Sequence, residues 1–180
     1  MTSRNTIELT VDSFLHERGI AEPPIDIEQL CKAEGIAIAK HDFSGNESGF
    51  ALSQGDTKII GVNTATTPLR QRFTIAHEFG HLYLHHKPLI VDHSILVISK
   101  KRNDVSSMGT DQEEVEANAF AAAILMPRNL VRRELEKKHI DESGPTDRES
   151  VIRAMARTFN VSPQAMGYRL VNLNLITGSI

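Results

Sequence analysis

The sequence contains one cysteine, Cys31, no long apolar segment and no large excess of either charge. A single cysteine excludes an internal disulfide framework and a zinc module built from cysteines, and it is typical of a reducing compartment. The longest apolar run extends only from Ala119 to Met126, far short of the ~20 residues that a membrane-spanning helix needs. The formal net charge of −3 gives no overall reason to expect a nucleic-acid partner.

The chain also lacks repeats, low-complexity tracts and an N-terminal basic stretch followed by an apolar core. Its hydrophobic fraction of 40% and charged fraction of 24% exclude wholesale disorder. With 180 residues it can bury enough surface to fold without covalent cross-links. We therefore expect a globular protein of the cytoplasm that has no membrane partner.

The period of the hydrophobic pattern changes from helix to strand and back along the chain. It predicts three strands, at residues 36–43, 49–53 and 57–63. It predicts helices at residues 6–18, 27–34, 68–84, 111–125, 128–138, 147–158 and 163–171. Short connections between the strands favour an antiparallel meander. The expected fold is α+β: a small three-stranded antiparallel sheet packed against a mainly helical body with a C-terminal helical tail.

The segment His77-Glu78-Phe79-Gly80-His81 has the H-E-x-x-H pattern of a metal site. Four residues make about 1.1 helical turns, so both imidazoles project from one face and can hold one cation. Glu78 can reach a water molecule on that cation without being a ligand. Because zinc lowers the pKa of such a water from about 15.7 towards 7, Glu78 can take its proton and later pass it to a leaving amine. Two histidines that are merely solvated or hydrogen-bonded in a core are the alternative.

The third metal ligand cannot follow closely on the same helix. His85 lies about 12 Å along the helix axis from His77, too far for both to bind one ion. The metzincin extension is also missing, since Leu84 and Lys87 stand where it needs glycine and histidine.

The helix predicted at residues 111–125 offers three carboxylates. Glu114 is preferred, followed by Glu113 and then Glu116, because Glu114 shares a helical face with small residues that permit close helix packing. Asn118 lies on the same face and could orient a metal-bound histidine. Carboxylates that only support a helix N-terminus are the alternative for the remaining two.

Three segments resemble the ImmA/IrrE family of zinc metallopeptidases. They are RQRFTIAHEFGHLYLHH, EVEANAFAAAILMP and VSPQAMGYRL, and the resemblance covers about residues 8–170. It implies a zincin-like fold of gluzincin type, zinc as cofactor, His77 and His81 as metal ligands, Glu78 as general base and Glu114 as third ligand.

Members of this family commonly act in bacteria and their mobile elements, where they cleave a helix-turn-helix repressor and release transcription. The resemblance therefore implies a metalloendopeptidase with a protein substrate. No DNA-binding helix-turn-helix precedes the catalytic region, so we expect the repressor to be a separate chain. We expect a catalytic core at residues 1–126 and a helical extension at residues 127–180 packed on it as a single compact unit.

Other residues near the site have less specific signals. Tyr83, Tyr168 and His139 are candidates for stabilising an oxyanion opposite the metal, and the sequence does not choose among them. Residues 86–110 read as a loop or lid apart from the short apolar run SILVI.

A non-enzymatic regulator is the rival hypothesis. Such a protein would bind a repressor or DNA, with the metal structural or absent. The tail segment RAMARTFNVSPQAMGYRL has the look of a helix-turn-helix, and its arginines could contact phosphates.

Overall fold

The computed structural model describes residues 3–43, 48–84, 107–137 and 148–176, without the side chains of residues 107–111. The described residues form an α+β fold with one small sheet. The elements are α1 (Arg4–Glu17), α2 (Ile27–Ala33), β1 (Ile36–His41), β2 (Gly49–Gln54), β3 (Thr57–Asn63), α3 (Pro68–Tyr83), α4 (Ser107–Leu125), α5 (Arg128–Lys137), α6 (Arg148–Phe159) and α7 (Pro163–Asn172). The loop predicted up to residue 110 is too long at its end, because α4 already begins at Ser107.

The chain divides into two compact units. The first combines Met1–Arg4 with Asp26–Ala121 and contains the sheet, α2, α3 and most of α4. The second combines Asn5–Ile25 with Ala122–Ile180, so α1 groups with the C-terminal helices. The division into a core and an extension at residue 126 stays a prediction about domain organisation.

The sheet is mixed, so the predicted antiparallel meander is wrong. β3 is the central strand, with β2 antiparallel on one side and β1 parallel on the other. A tight turn at Gly55, with φ +57°, joins β2 to β3. Residues 42–56 separate β1 from β3, enough chain for the crossover that a parallel pair requires. Alternation in the sequence indicates which face is buried but not which strand is the neighbour.

One face of the sheet packs against α3. On β3, Ile60 and Val62 are fully buried, and strand alternation places them on the same face. Gly49 of β2 pairs with Val62 of β3. A Cβ atom at residue 49 would lie 2.6 Å from the carbonyl oxygen of Gly61 and would overlap Thr74 of α3. β2 and α3 therefore approach so closely at this point that only glycine fits.

The start of α3 is fixed by the end of β3. Asn63 is buried, and its Oδ1 accepts hydrogen bonds from the backbone N–H groups of Ala65 at 2.9 Å and Phe43 at 3.4 Å. After this turn Thr67 caps α3 by accepting from the N–H of Arg70, and Pro68 occupies the first turn. The helix predicted at residues 68–84 therefore begins at Pro68.

The second unit is held by a buried ion pair between α1 and α7. Arg169 donates to both carboxylate oxygens of Glu8 and, through Nε at 2.8 Å, to the carbonyl of Met126. Both side chains are buried, so each charge depends on the other for stabilisation. Helix α1 also contributes buried apolar side chains such as Val11 and Phe14.

No helix within the described ranges has the length and apolar character that crossing a membrane would require.

Candidate metal centre

Helix α3 presents His77 and His81 on one face, as their spacing of four residues requires. Their ring centroids are 4.8 Å apart and their Nε2 atoms are 3.1 Å apart. The side chains are only 15% and 14% exposed. Two nitrogens that can carry lone pairs thus converge in a sheltered place.

Helix α4 brings the carboxylate of Glu114 to the same point. Its Oε2 lies 3.2 Å from His77 Nε2, and its Oε1 lies 3.5 Å from His81 Nε2. Among the residues that the structure describes, these three form the group of His, Cys, Asp and Glu side chains whose ligand atoms are close enough to share a metal ion.

The distances fit a divalent cation with short bonds. Ligands about 2.1 Å from a tetrahedral ion lie ~3.4 Å from one another, and the three observed separations are 3.1, 3.2 and 3.5 Å. Two imidazole nitrogens and one carboxylate oxygen are also a donor set that zinc accepts. The residues present therefore fit such an ion.

The other two candidate carboxylates of α4 lie in different surroundings. Glu116 is buried and accepts a hydrogen bond from Gln112 at 2.8 Å. Glu113 is half-buried and does not belong to the described group of close ligand atoms. The structure thus brings together His77, His81 and Glu114, the set that the sequence favours. Metal binding by these three residues stays a prediction.

Close packing of α3 and α4 at Gly80 makes this convergence possible. A Cβ atom at residue 80 would lie 3.2 Å from Phe120 Cβ and 3.3 Å from Ala117 Cα. Phe120 also packs edge-on against Phe79, with ring centroids 5.5 Å apart. The small side chains on both helices are therefore what allows Glu114 to reach the histidines.

Two further side chains contact His77. Asn118 Oδ1 lies 3.1 Å from His77 Nδ1, so the contact that the sequence suggested is present. Phe73, one turn earlier on α3, places its ring centroid 6.4 Å from that of His77. A phenylalanine is expected in the protein interior, but the side chain of Phe73 is only half-buried and lies beside His77.

The arginines that precede the site act within the scaffold. Arg70 donates through Nε and Nη2 to Ser48 Oγ at 3.0 and 2.8 Å, and so ties α3 to the start of β2. No pattern in the sequence indicates this hydroxyl partner. Burial lowers the pKa of Arg72, and the carboxylates of Asp26 and Glu28 oppose that shift.

The oxyanion candidates fall in different places. The ring of Tyr83 packs against Phe79 and Phe120, about 200° around the helix from His81. Tyr168 lies on α7 in the second unit and is exposed. His139, His85, His86 and residues 86–106 of the predicted loop or lid lie outside the described residues.

The tail forms the helix pair predicted for it. α6 ends at Phe159, Asn160 adopts a positive φ of 52°, and α7 begins at Pro163. Arg169, however, is buried against Glu8. It is therefore not available for contacts to phosphate groups.

Comparison with known proteins extends these observations. A family model described as Peptidase_M78, IrrE N-terminal-like domain, matches residues 31–171. The chain is 34% identical over 113 residues to the Radiation response metalloprotease IrrE of Deinococcus radiodurans, an alignment that covers 62% of this chain and 30% of that protein.

A solved structure described as a Mycobacterium tuberculosis transcriptional regulator has a similar fold. Its TM-score is 0.61 at 20% identity, and the match covers 91% of this chain and 46% of that one. The matched regions thus cover less than half the length of either protein. Since the family match includes both helices of the candidate centre and most of the sequence, the chain belongs to the ImmA/IrrE family, within the Peptidase_M78 (IrrE N-terminal-like) group.

Proposed function

We propose that this protein is a zinc-dependent metalloendopeptidase of the cytoplasm. The observation that carries the proposal is the convergence of His77 Nε2, His81 Nε2 and the Glu114 carboxylate within 3.5 Å of one another. Three protein ligands leave a coordination position for water or substrate, which is typical of catalytic and not of structural zinc. Family membership supports the same chemistry, as does the name of the Deinococcus relative.

His77, His81 and Glu114 would hold the ion. When bound, zinc would act as a Lewis acid that activates a water molecule and polarises the carbonyl of the peptide bond.

Glu78 would move the proton. It follows His77 directly on α3 and is half-buried, so it lies next to the centre without joining the close ligand atoms. Its carboxylate would accept a proton from the attacking water and donate it to the amide nitrogen as the C–N bond breaks. One side chain would thus serve as base and then as acid.

An extended protein segment fits the scaffold as substrate. Among the described residues β2 lies at one edge of the sheet and packs directly on α3, so a segment paired with that edge would run beside the helix that carries the histidines. We propose a separate helix-turn-helix repressor as the protein cleaved. Cleavage of that repressor would release transcription of the genes that it represses.

Co-expression tests this proposal most directly. The chain would be produced with the regulator encoded beside its gene, as wild type, as Glu78→Gln and as the control Glu113→Gln. Cleavage fragments should appear with the wild type and the control and should be absent with Glu78→Gln, which should retain its metal. Full cleavage by Glu78→Gln would refute the assignment of the base.

A regulator that acts by binding alone is the second candidate, favoured by the helix-turn-helix order of α6 and α7. It requires no cleavage and would bind a repressor or DNA. A gel shift with unrelated duplex that weakens with salt would support its DNA form. Absence of a shift at low salt would remove that form.

A further inference from the structure

Arg70 presents an exposed positive charge on the face of α3 that carries the candidate centre. It stands seven residues before His77, so the two side chains leave the helix in directions about 20° apart and at positions about 10 Å apart along its axis. Both residues belong to the first compact unit. A ligand that extends from the metal centre along this face of α3 therefore reaches Arg70.

The guanidinium of Arg70 is held in place by a neutral group. Its Nε and Nη2 donate to Ser48 Oγ at 3.0 and 2.8 Å. The backbone of Ser48 is fixed in turn, because its carbonyl oxygen accepts from the N–H of Asn63 at 2.9 Å. A guanidinium has five N–H donors, so three remain for another acceptor. Within the described ranges the charge of Arg70 is thus positioned by a hydroxyl and not neutralised by it.

The direction of β2 indicates on which side of the cleaved bond Arg70 would act. Ser48, directly before β2, contacts Arg70, and the next residue, Gly49, lies against Thr74 one turn later on α3. β2 and α3 therefore run in the same sense here. Because antiparallel pairing is the more stable kind, we expect a bound segment to run antiparallel to β2, with its C-terminal part towards Arg70.

We propose that Arg70 is a specificity-determining residue that binds an acidic side chain of the substrate on the C-terminal side of the cleaved bond. An extended chain rises about 3.3 Å per residue, so the ~10 Å between His77 and Arg70 corresponds to about three residues. A carboxylate at that place would accept parallel N–H bonds from Nη1 and Nη2. The inference rests on the proposed function, since it takes the metal centre as the place of cleavage.

A purely structural role for Arg70 would have a different consequence. The hydrogen bonds to Ser48 would still tie α3 to β2, but the protein would show no preference for charge in its ligand. Reversal of the charge at residue 70 separates the two roles. A glutamate there should favour a lysine in the ligand, whereas the loss of a structural tie creates no new preference.

Peptides anchored to the metal test the position of this charge. The probes are amidated alanine peptides with a zinc-chelating hydroxamate at the N-terminal end and one glutamate at each of five successive positions. Zinc-loaded wild type should bind the peptide with glutamate at about the third position about 3- to 10-fold more tightly than the all-alanine peptide. Displacement of a fluorescent hydroxamate measures the affinities, and the preference should weaken with salt.

Two variants complete the experiment. Arg70→Glu should lose the preference for glutamate and should favour lysine at the same position. Arg132→Gln, which removes an exposed arginine of α5, is the matched control and should keep the wild-type preference. If Arg70→Glu does not fold, the position scan with wild type decides on its own.

The outcomes separate this inference from the proposed function. Hydroxamate binding that does not depend on the position of the glutamate, or the same preference in wild type and Arg70→Glu, would overturn the inference and leave the metal centre intact. No binding of any hydroxamate would overturn the metal centre and this inference with it. A preference that changes from glutamate to lysine in Arg70→Glu would support the inference even if no peptidase activity is found.

Discussion

At the residue scale, the candidate centre follows from three side chains that all offer lone pairs to one point. Sequence spacing alone places His77 and His81 on one helical face, and the structure agrees. The choice of Glu114 over Glu113 depends on the rotation of α4 relative to α3, which the sequence indicates only through small residues and the family resemblance. Ser48 as the partner of Arg70 could not be predicted, since a hydroxyl carries no distinctive signal.

Replacing Glu114 should remove the metal. Glu114→Gln substitutes a weakly binding amide oxygen for the carboxylate 3.2 Å from His77 Nε2, so we expect zinc content to fall below one ion per chain. Glu113→Gln, on the same helix but outside the close group, should keep a full equivalent. Elemental analysis after dialysis measures both, and the same zinc content in the two variants would count against Glu114 as a ligand.

The single cysteine should make stability depend on alkaline pH. Burial raises the pKa of Cys31 from 9.0 to about 12, with a smaller contribution from Glu28. The folded protein therefore holds this proton more tightly than the unfolded chain does. The resulting stabilisation is complete below pH 9 and is lost as the pH rises towards 12.

Urea unfolding of wild type and Cys31→Ala across this range checks the effect. The difference in stability between the two should shrink as the pH rises, because only the wild type carries the thiol. A constant difference would show that the thiol has no raised pKa.

At the element scale, all ten described helices and strands lie close to their predicted positions, because caps and breakers mark their ends. Asp26, Thr67 and Ser162 accept the hydrogen bonds expected of helix N-caps. The sheet topology was predicted wrongly because strand pairing depends on contacts between distant segments. β1 pairs with β3 across the intervening β2 sequence.

The contact between α3 and α4 at Gly80 gives an element-scale prediction. Gly80→Ala places a methyl group about 3.3 Å from the Ala117 backbone and should force the helices apart, which moves Glu114 away from the histidines. The gain of about 1 kcal/mol in helix propensity offsets part of the strain. Zinc affinity should therefore fall more than thermal stability does.

Calorimetric zinc titration and thermal unfolding of the same Gly80→Ala sample separate the two effects. Unchanged zinc affinity would show that close packing at this position does not set the geometry of the centre.

At the scale of the whole chain, α1 and α7, the first and last helices that the structure describes, meet at the ion pair of Glu8 and Arg169. No local pattern predicts this pair, since both residues read as solvent-exposed positions of amphipathic helices. Arg169, one of the tail arginines that the sequence suggested for phosphate contacts, is instead buried in the second unit. An ion pair between residues so far apart in the sequence can be identified only from the folded structure.

Breaking that pair should destabilise the protein strongly. Glu8→Gln leaves the buried guanidinium without its counter-charge, for which we expect a loss of about 3–5 kcal/mol. Glu17→Gln removes a carboxylate that is 71% exposed and 3.7 Å from Arg18, so it should change stability by about 1 kcal/mol or less. Equal destabilisation of the two variants in urea unfolding would contradict the structural role of the buried pair.

Anomalous diffraction at the zinc absorption edge, from crystals of the protein purified with zinc, tests the central claim most directly. We expect one strong peak about 2.0–2.2 Å from His77 Nε2, His81 Nε2 and a carboxylate oxygen of Glu114, with no fourth protein ligand. A peak bound elsewhere, or one with a fourth side chain completing the coordination, would contradict a catalytic metal centre in this chain.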